Sequence, residues 1–159
     1  WSSDVCSSDL SDEISVDDNA FITLRMNNKA RGSIWVSSAA TGGENGLKIR
    51  VYGTKGAVEW LQDDPNILKF TQLNSPTSII TRASNSTSDL SMKSSRVAAG
   101  HPEGFFEAFA NIYTEFADSI TRSKKLLPSI PNIQDGVKGI KFIYAAKESS
   151  NKNSKWIKL

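Results

Sequence analysis

Gly100-His101-Pro102-Glu103-Gly104 is where residue types come closest to chemistry: the chain's single histidine sits beside a proline at the mouth of an amphipathic helix. Such a junction can hold a polar group against a cleft while the helix behind it packs into a core. Phe105, Phe109, Ile112, Phe116 and Ile120 recur at helical spacing, with Glu103, Glu107, Glu115 and Asp118 mostly on the other side. Other chemistry is sparse. One histidine cannot build a zinc site alone, and His, Cys and carboxylates nowhere cluster at metal-ligand spacing. The sequence has no G-x-G-x-x-G, no phosphate-cradling Gly-Lys-Ser/Thr loop and no G-x-S-x-G elbow. Asp63-Asp64 reads as a solvated turn rather than an acid and base pair.

The elements that must position this junction follow from hydrophobic period. Ala20 to Met26 alternates as a strand, Asn27-Asn28-Lys29 turns it back, and Ala30 to Ser38 completes a hairpin with Ile34 and Val36 on one face and Trp35 on the other. Thr41 to Gly46 is a glycine-rich loop. Leu47 to Tyr52 turns Leu47, Ile49 and Val51 inward, and a tight Gly53 to Gly56 turn leads into Ala57 to Leu61. Ile67 to Gln72 and Ser78 to Arg82 follow. The prediction is an α+β fold: a largely antiparallel, open-faced sheet of about six strands with two main helices packed on one face.

Arg82 to Ala99 is serine-rich and weakly periodic, and it reads as a long loop that delivers the chain to His101. Loops beyond roughly 12 to 15 residues are usually functional or disordered, so a lid or strap is expected there. Within it Asn85-Ser86-Thr87 matches a glycosylation acceptor, set aside for want of an export signal. Leu127 to Pro131 is a rigid connector, and Asn132 and Asp135 are spaced as a capping pair for a second helix with Ile133, Val137, Ile140 and Tyr144 on its buried stripe. Gly136 and Gly139 allow close packing there, and Lys155 to Leu159 alternates as an edge strand.

Composition narrows the partners. The 159 residues, 38% hydrophobic and 9% aromatic, suit one domain with a packed core. A net charge of +2 from 19 basic and 17 acidic residues, with no basic block, argues against nucleic acid. No stretch approaches the roughly 20 apolar residues that cross a bilayer, and no signal peptide opens the chain, so a cytoplasmic location is expected. The first ten residues stand apart. Asp4 to Leu10, DVCSSDL, resembles the in-frame translation of a common sequencing-library adapter, which makes residues 1–10 a non-native tail on a truncated gene; the alternative is a natural disordered tail. On the first reading Cys6 is not native and neither disulfide nor thiol chemistry is available.

Three segments taken together carry a resemblance. NGLKIRVYGTKGAVEW, GHPEGFFEAFANIYTEFADSI and IQDGVKGIKFIYAAKESSNKNSKWIKL resemble, in order, the C-terminal half of the Gfo/Idh/MocA oxidoreductases, the glucose-fructose oxidoreductase and inositol dehydrogenase family. The likeness runs from about Asp17 to Leu159. It implies that residues 17–159 are a C-terminal substrate and oligomerisation domain, with an N-terminal Rossmann domain that binds NAD or NADP missing. The family's glycine fingerprint, its Glu-Lys-Pro motif and its aspartate and histidine active-site motif are absent here. The resemblance therefore assigns this chain no catalytic, cofactor-binding or metal residues and no activity alone.

What the resemblance carries over is a set of candidate substrate contacts. His101 is the first, since an imidazole can donate to or accept from a sugar or polyol hydroxyl; alternatively it only fixes the helix entrance. Glu103 either joins it or answers the helix dipole. Glu44 and Asn45 either reach the same cleft or form an ordinary turn. The implied partners are a sugar or polyol and further copies of the chain, meeting through the uncovered sheet face near Trp35, Arg50 and Tyr52; neither nucleic acid nor membrane is expected. The other function class is a stand-alone, non-catalytic binding or assembly module. The DNA upstream of the Asp17 codon separates the two: a Rossmann fingerprint in frame favours the dehydrogenase, a start codon just upstream the module.

Overall fold

A computed structural model describes residues 17–85, 87–121 and 130–159. The tail at residues 1–10 with Cys6, Ser86 of the acceptor triplet and residues 127–129 of the connector lie outside the described residues. The strands are β1 (Asn19–Arg25), β2 (Arg31–Ser37), β3 (Lys48–Gly53), β4 (Gly56–Leu61), β5 (Ile67–Gln72) and β6 (Thr77–Thr81). The helices are α1 (Asp89–Ser94), α2 (Phe105–Thr121) and α3 (Ile133–Asn151). The α+β class and the antiparallel pairing are as expected, but the strands form two sheets, β1-β2 and β3-β4-β5-β6. The chain divides into two compact units, one running up to Gly43 and taking in Tyr144–Leu159, the other Glu44–Ile143.

In the first unit the β1-β2 hairpin pairs Phe21 with Trp35, and their rings stack 5.7 Å apart and 2° from parallel. The indole N–H of Trp35 donates to Asn19 Oδ1 at 3.0 Å. Lys155 to Leu159 forms no strand. The reason is local: Asn153 and Ser154 both take left-handed φ, of 54° and 60°, and turn the chain back over the end of α3. Ser154 N–H donates to Ser149 O at 2.9 Å, and Ser149 Oγ donates to Lys155 O at 2.8 Å, so these groups cap the helix instead of joining a ladder. Trp156 lies under the Arg25 guanidinium, 4.0 Å from the ring centroid.

The second unit is a four-stranded meander whose register sorts its residues by face. Ile49, Val51, Val58, Trp60, Leu68, Phe70 and Ile80 share one face. On the other, Glu59 stands between Lys48 at 3.1 Å and Lys69 at 3.2 Å, and these lysines, Lys48 first, hold its carboxyl below the usual range. Gly56 is required where β4 meets β5, because a Cβ there would fall 2.4 Å from Thr71 O.

Two further expectations need correction. The serine-rich segment carries a short helix, α1, whose N-cap Ser88 Oγ accepts from Ser91 N–H at 3.3 Å. The apolar stripes read as buried are open: Phe105, Phe109, Ile112, Phe116 and Ile120 are 44–65% exposed, and Ile133, Val137, Ile140 and Tyr144 are exposed as well. The same holds for Leu47, Ile49 and Val51, and Ala83 is the one buried hydrophobic residue among those described. Amphipathic patterning reports which face is apolar and is silent on what covers it.

Candidate functional site

Antiparallel order brings the start of β3, the end of β4, the start of β5 and the end of β6 to one end of the four-stranded sheet. Three connections meet there: the loop carrying Glu44 and Asn45, the turn at residues 62–66, and the segment from Arg82 to Gly104 that carries His101 and Glu103. All four candidate residues thus belong to one sheet end.

Glu103 is the polar residue this end buries most deeply, 9% exposed. Its Oε2 lies 2.6 Å from Arg82 Nη1, and its Oε1 accepts the Arg96 N–H. Its backbone is read by Asn66, whose Oδ1 accepts from Glu103 N–H at 3.0 Å and whose Nδ2 donates to Glu103 O at 2.9 Å. Both carboxylate oxygens are therefore engaged within the chain. The Arg82 guanidinium neutralises the buried carboxylate, although Oε2 meets Nη1 as an ion-pair contact and accepts no hydrogen bond.

His101 is exposed, and it is held through its backbone. Its N–H donates to Ala98 O at 3.2 Å, and its carbonyl accepts from Arg82 Nη2 at 2.7 Å. The preceding Gly100 has φ +84°, a value that favours glycine. Helix α2 begins beyond Pro102, at Phe105. Its entrance is capped by Glu107, whose Oε2 accepts from Gly104 N–H at 2.9 Å; this bond is the first cause of a carboxyl held below its usual range. Asn45 is exposed, with its Nδ2 donating to Gln62 Oε1 at 2.6 Å, and Glu44 beside it is exposed.

Sequence reasoning missed Asn66, Arg82 and Arg96. Asn66 drew no reading beside the Asp63-Asp64 turn, Arg82 read as the last residue of a strand and Arg96 as one more residue of a long loop. Arg96 ties the segment to α2, donating from Nε to Asn111 Oδ1 at 2.7 Å and from Nη2 to Ala110 O at 2.7 Å and Thr114 Oγ1 at 2.6 Å. No spacing links these residues. The weak signal available was an arginine flanking each end of the serine-rich run, with one glutamate beyond it.

Among the described residues no group of His, Cys, Asp and Glu could hold a metal, and no helix is long and apolar enough to cross a membrane. The N-terminus of α2 already holds the Glu107 carboxylate.

Comparison with known proteins follows the same line. The family model "Oxidoreductase family, C-terminal alpha/beta domain" matches residues 2–159. The uncharacterized oxidoreductase YfiI of Bacillus subtilis (strain 168) is 32% identical over 148 residues, 89% of this chain and 38% of that protein. An oxidoreductase from Sinorhizobium meliloti superposes with a TM-score of 0.86 at 43% identity, covering 95% of this chain and 44% of that one. An inositol dehydrogenase homolog from Azotobacter vinelandii, complexed with NADH and myo-inositol, superposes with a TM-score of 0.83 at 32% identity, covering 90% and 39%. The chain thus spans less than half the length of these relatives. It belongs to the Gfo/Idh/MocA oxidoreductase family, as that family's C-terminal α/β domain.

Proposed function

We propose that residues 17–159 form the substrate and oligomerisation domain of an NAD(P)-dependent oxidoreductase that moves hydride between a sugar or polyol hydroxyl and the nicotinamide. The observation that carries this reading is the likeness to a homolog solved with NADH and myo-inositol. In this reading NAD or NADP is held outside residues 17–159, by a Rossmann domain of the kind the family resemblance implies, and the hydride step belongs to residues there. The protein works in the cytoplasm, where nicotinamide cofactors circulate.

The chain's own residues bind and orient. His101 offers an exposed imidazole on a backbone fixed from both sides, which suits a ligand hydroxyl that both donates and accepts. Glu44 and Asn45, from the neighbouring loop, give further polar contacts at the same sheet end. Glu103 we read as supporting this wall from within, since Arg82 and the Arg96 amide occupy its oxygens. The open apolar faces support association with other copies or with another domain, as a sheet face carrying Ile49 and Val51 about half exposed needs a cover.

The test is His101→Ala in a full-length oxidoreductase that carries this domain. It should cost about 1 to 3 kcal/mol of transition-state stabilisation in kcat/KM, with the cofactor dissociation constant and the melting midpoint near their original values. An unchanged kcat/KM in a stable mutant would leave His101 as a helix-entrance residue and remove the substrate role.

A further inference from the structure

We propose that Arg82 is the positioning residue of the candidate substrate wall: its guanidinium sets the backbone path from Val97 to His101 and so fixes where the His101 imidazole stands. The inference rests on the reading that His101 meets a ligand hydroxyl.

A guanidinium carries five N–H groups in one rigid plane. Around that of Arg82 the structure sets five acceptor atoms. Nε donates to Asn66 Oδ1 at 3.0 Å. Nη1 donates to Val97 O at 3.0 Å and makes the ion-pair contact with Glu103 Oε2 at 2.6 Å. Nη2 donates to Ala98 O at 3.1 Å and to His101 O at 2.7 Å. A residue serving only to neutralise Glu103 would need one of these contacts. Three of the five instead go to main-chain carbonyls within five residues, and those carbonyls define the approach to His101.

The far side of His101 is held by the same cluster. Asn66, which receives the Arg82 Nε–H, also bonds the N–H and the C=O of Glu103. His101 therefore lies between two stretches of backbone that both trace back to β5 and β6. Arg96 roots the segment separately on α2 through Ala110, Asn111 and Thr114, so loss of Arg82 need not release the whole segment. Arg82 itself is well covered, its side chain 15% exposed, with the bond to Asn66 part-buried and those to the carbonyls of Val97, Ala98 and His101 at the exposed rim.

Lysine separates the two roles. An ammonium keeps the charge opposite Glu103, but its three donors sit on one nitrogen and cannot span Asn66 and the carbonyls of Val97, Ala98 and His101 together. In the Arg82→Lys chain, hydrogen exchange should accelerate about tenfold or more at the bonded amides of His101, Glu103 and Gly104 and stay near its original rate in β4 and β5. Because His101 is the chain's single histidine, its imidazole resonances can be followed without assignment ambiguity, and they should shift and broaden in the same variant. Unaltered exchange at His101, Glu103 and Gly104, or equal acceleration throughout the sheet, would overturn the proposal. The unmutated chain supplies a second reading should Arg82→Lys fail to fold: the Arg82 Nη protons should be resolved and slow to exchange, unlike those of exposed Arg50, and averaged, fast-exchanging Nη protons would equally overturn it. In a full-length oxidoreductase with this domain, Arg82→Lys should raise the KM for the polyol about tenfold and leave the cofactor dissociation constant unchanged. If exchange responds as stated while neither Arg82→Lys nor His101→Ala alters polyol kinetics, the substrate reading of His101 falls and the positioning of the segment stands.

Discussion

At the scale of single residues, the sheet end is organised by a buried ion pair whose partners lie 21 positions apart, Arg82 and Glu103. Glu103→Ala strands a largely covered guanidinium among carbonyls, so it should cost about 3 to 5 kcal/mol of stability, measurable by urea denaturation. Glu103→Gln retains the shape and one acceptor and should cost less. If Glu103 instead acted mainly on a ligand, both variants would unfold like the original chain. Residue type drew attention to His101 and Glu103, since a lone imidazole and a carboxylate at a helix mouth are conspicuous in sequence. Their supports were illegible, because Asn66 and Arg82 meet them only after β5 and β6 have paired in register.

At the scale of elements, alternation located the six strands to within a residue or so, because each strand sets unlike residues on its two faces. The capping pair was equally legible. Asn132 Oδ1 accepts from Gln134 N–H at 2.8 Å and Asp135 N–H at 3.3 Å, while Asn132 N–H donates to Asp135 Oδ2 at 3.1 Å. Asn132→Ala should cost about 1 kcal/mol of α3 stability, read as lost helical circular dichroism on heating. The Asn132 N–H, and after it Lys138, hold the Asp135 carboxyl below its ordinary value of 3.8. A carboxyl depressed in the folded state stabilises fully above its unfolded value, and that contribution fades as pH falls through the folded one. Melting midpoints should therefore drop on acidification below about pH 4, and less steeply in Asp135→Asn. Gly56→Ala should destabilise by about 1 to 3 kcal/mol, since the backbone oxygen of Thr71 cannot yield to a methyl. Helix α1 escaped sequence reading because its serines give no hydrophobic period, and the expected last strand failed because two left-handed residues redirect the chain.

For the whole molecule, family and fold class could be read from sequence because three ordered segments carry them, whereas the covering of the apolar faces could not. Helix α2 and the four-stranded sheet present phenylalanine, isoleucine and valine side chains that stay exposed within the chain. The chain alone should self-associate, and a clean monomer by light scattering at high concentration would contradict that. The central claim is that this domain shapes a polyol pocket for a nicotinamide enzyme. It is tested most directly in a full-length family oxidoreductase that carries this domain, by following reduction of NAD or NADP across a panel of sugars and polyols. The account predicts saturable, polyol-dependent reduction that Arg82→Lys and His101→Ala weaken through the polyol rather than the cofactor. A folded, cofactor-binding protein that oxidises none of them would contradict it.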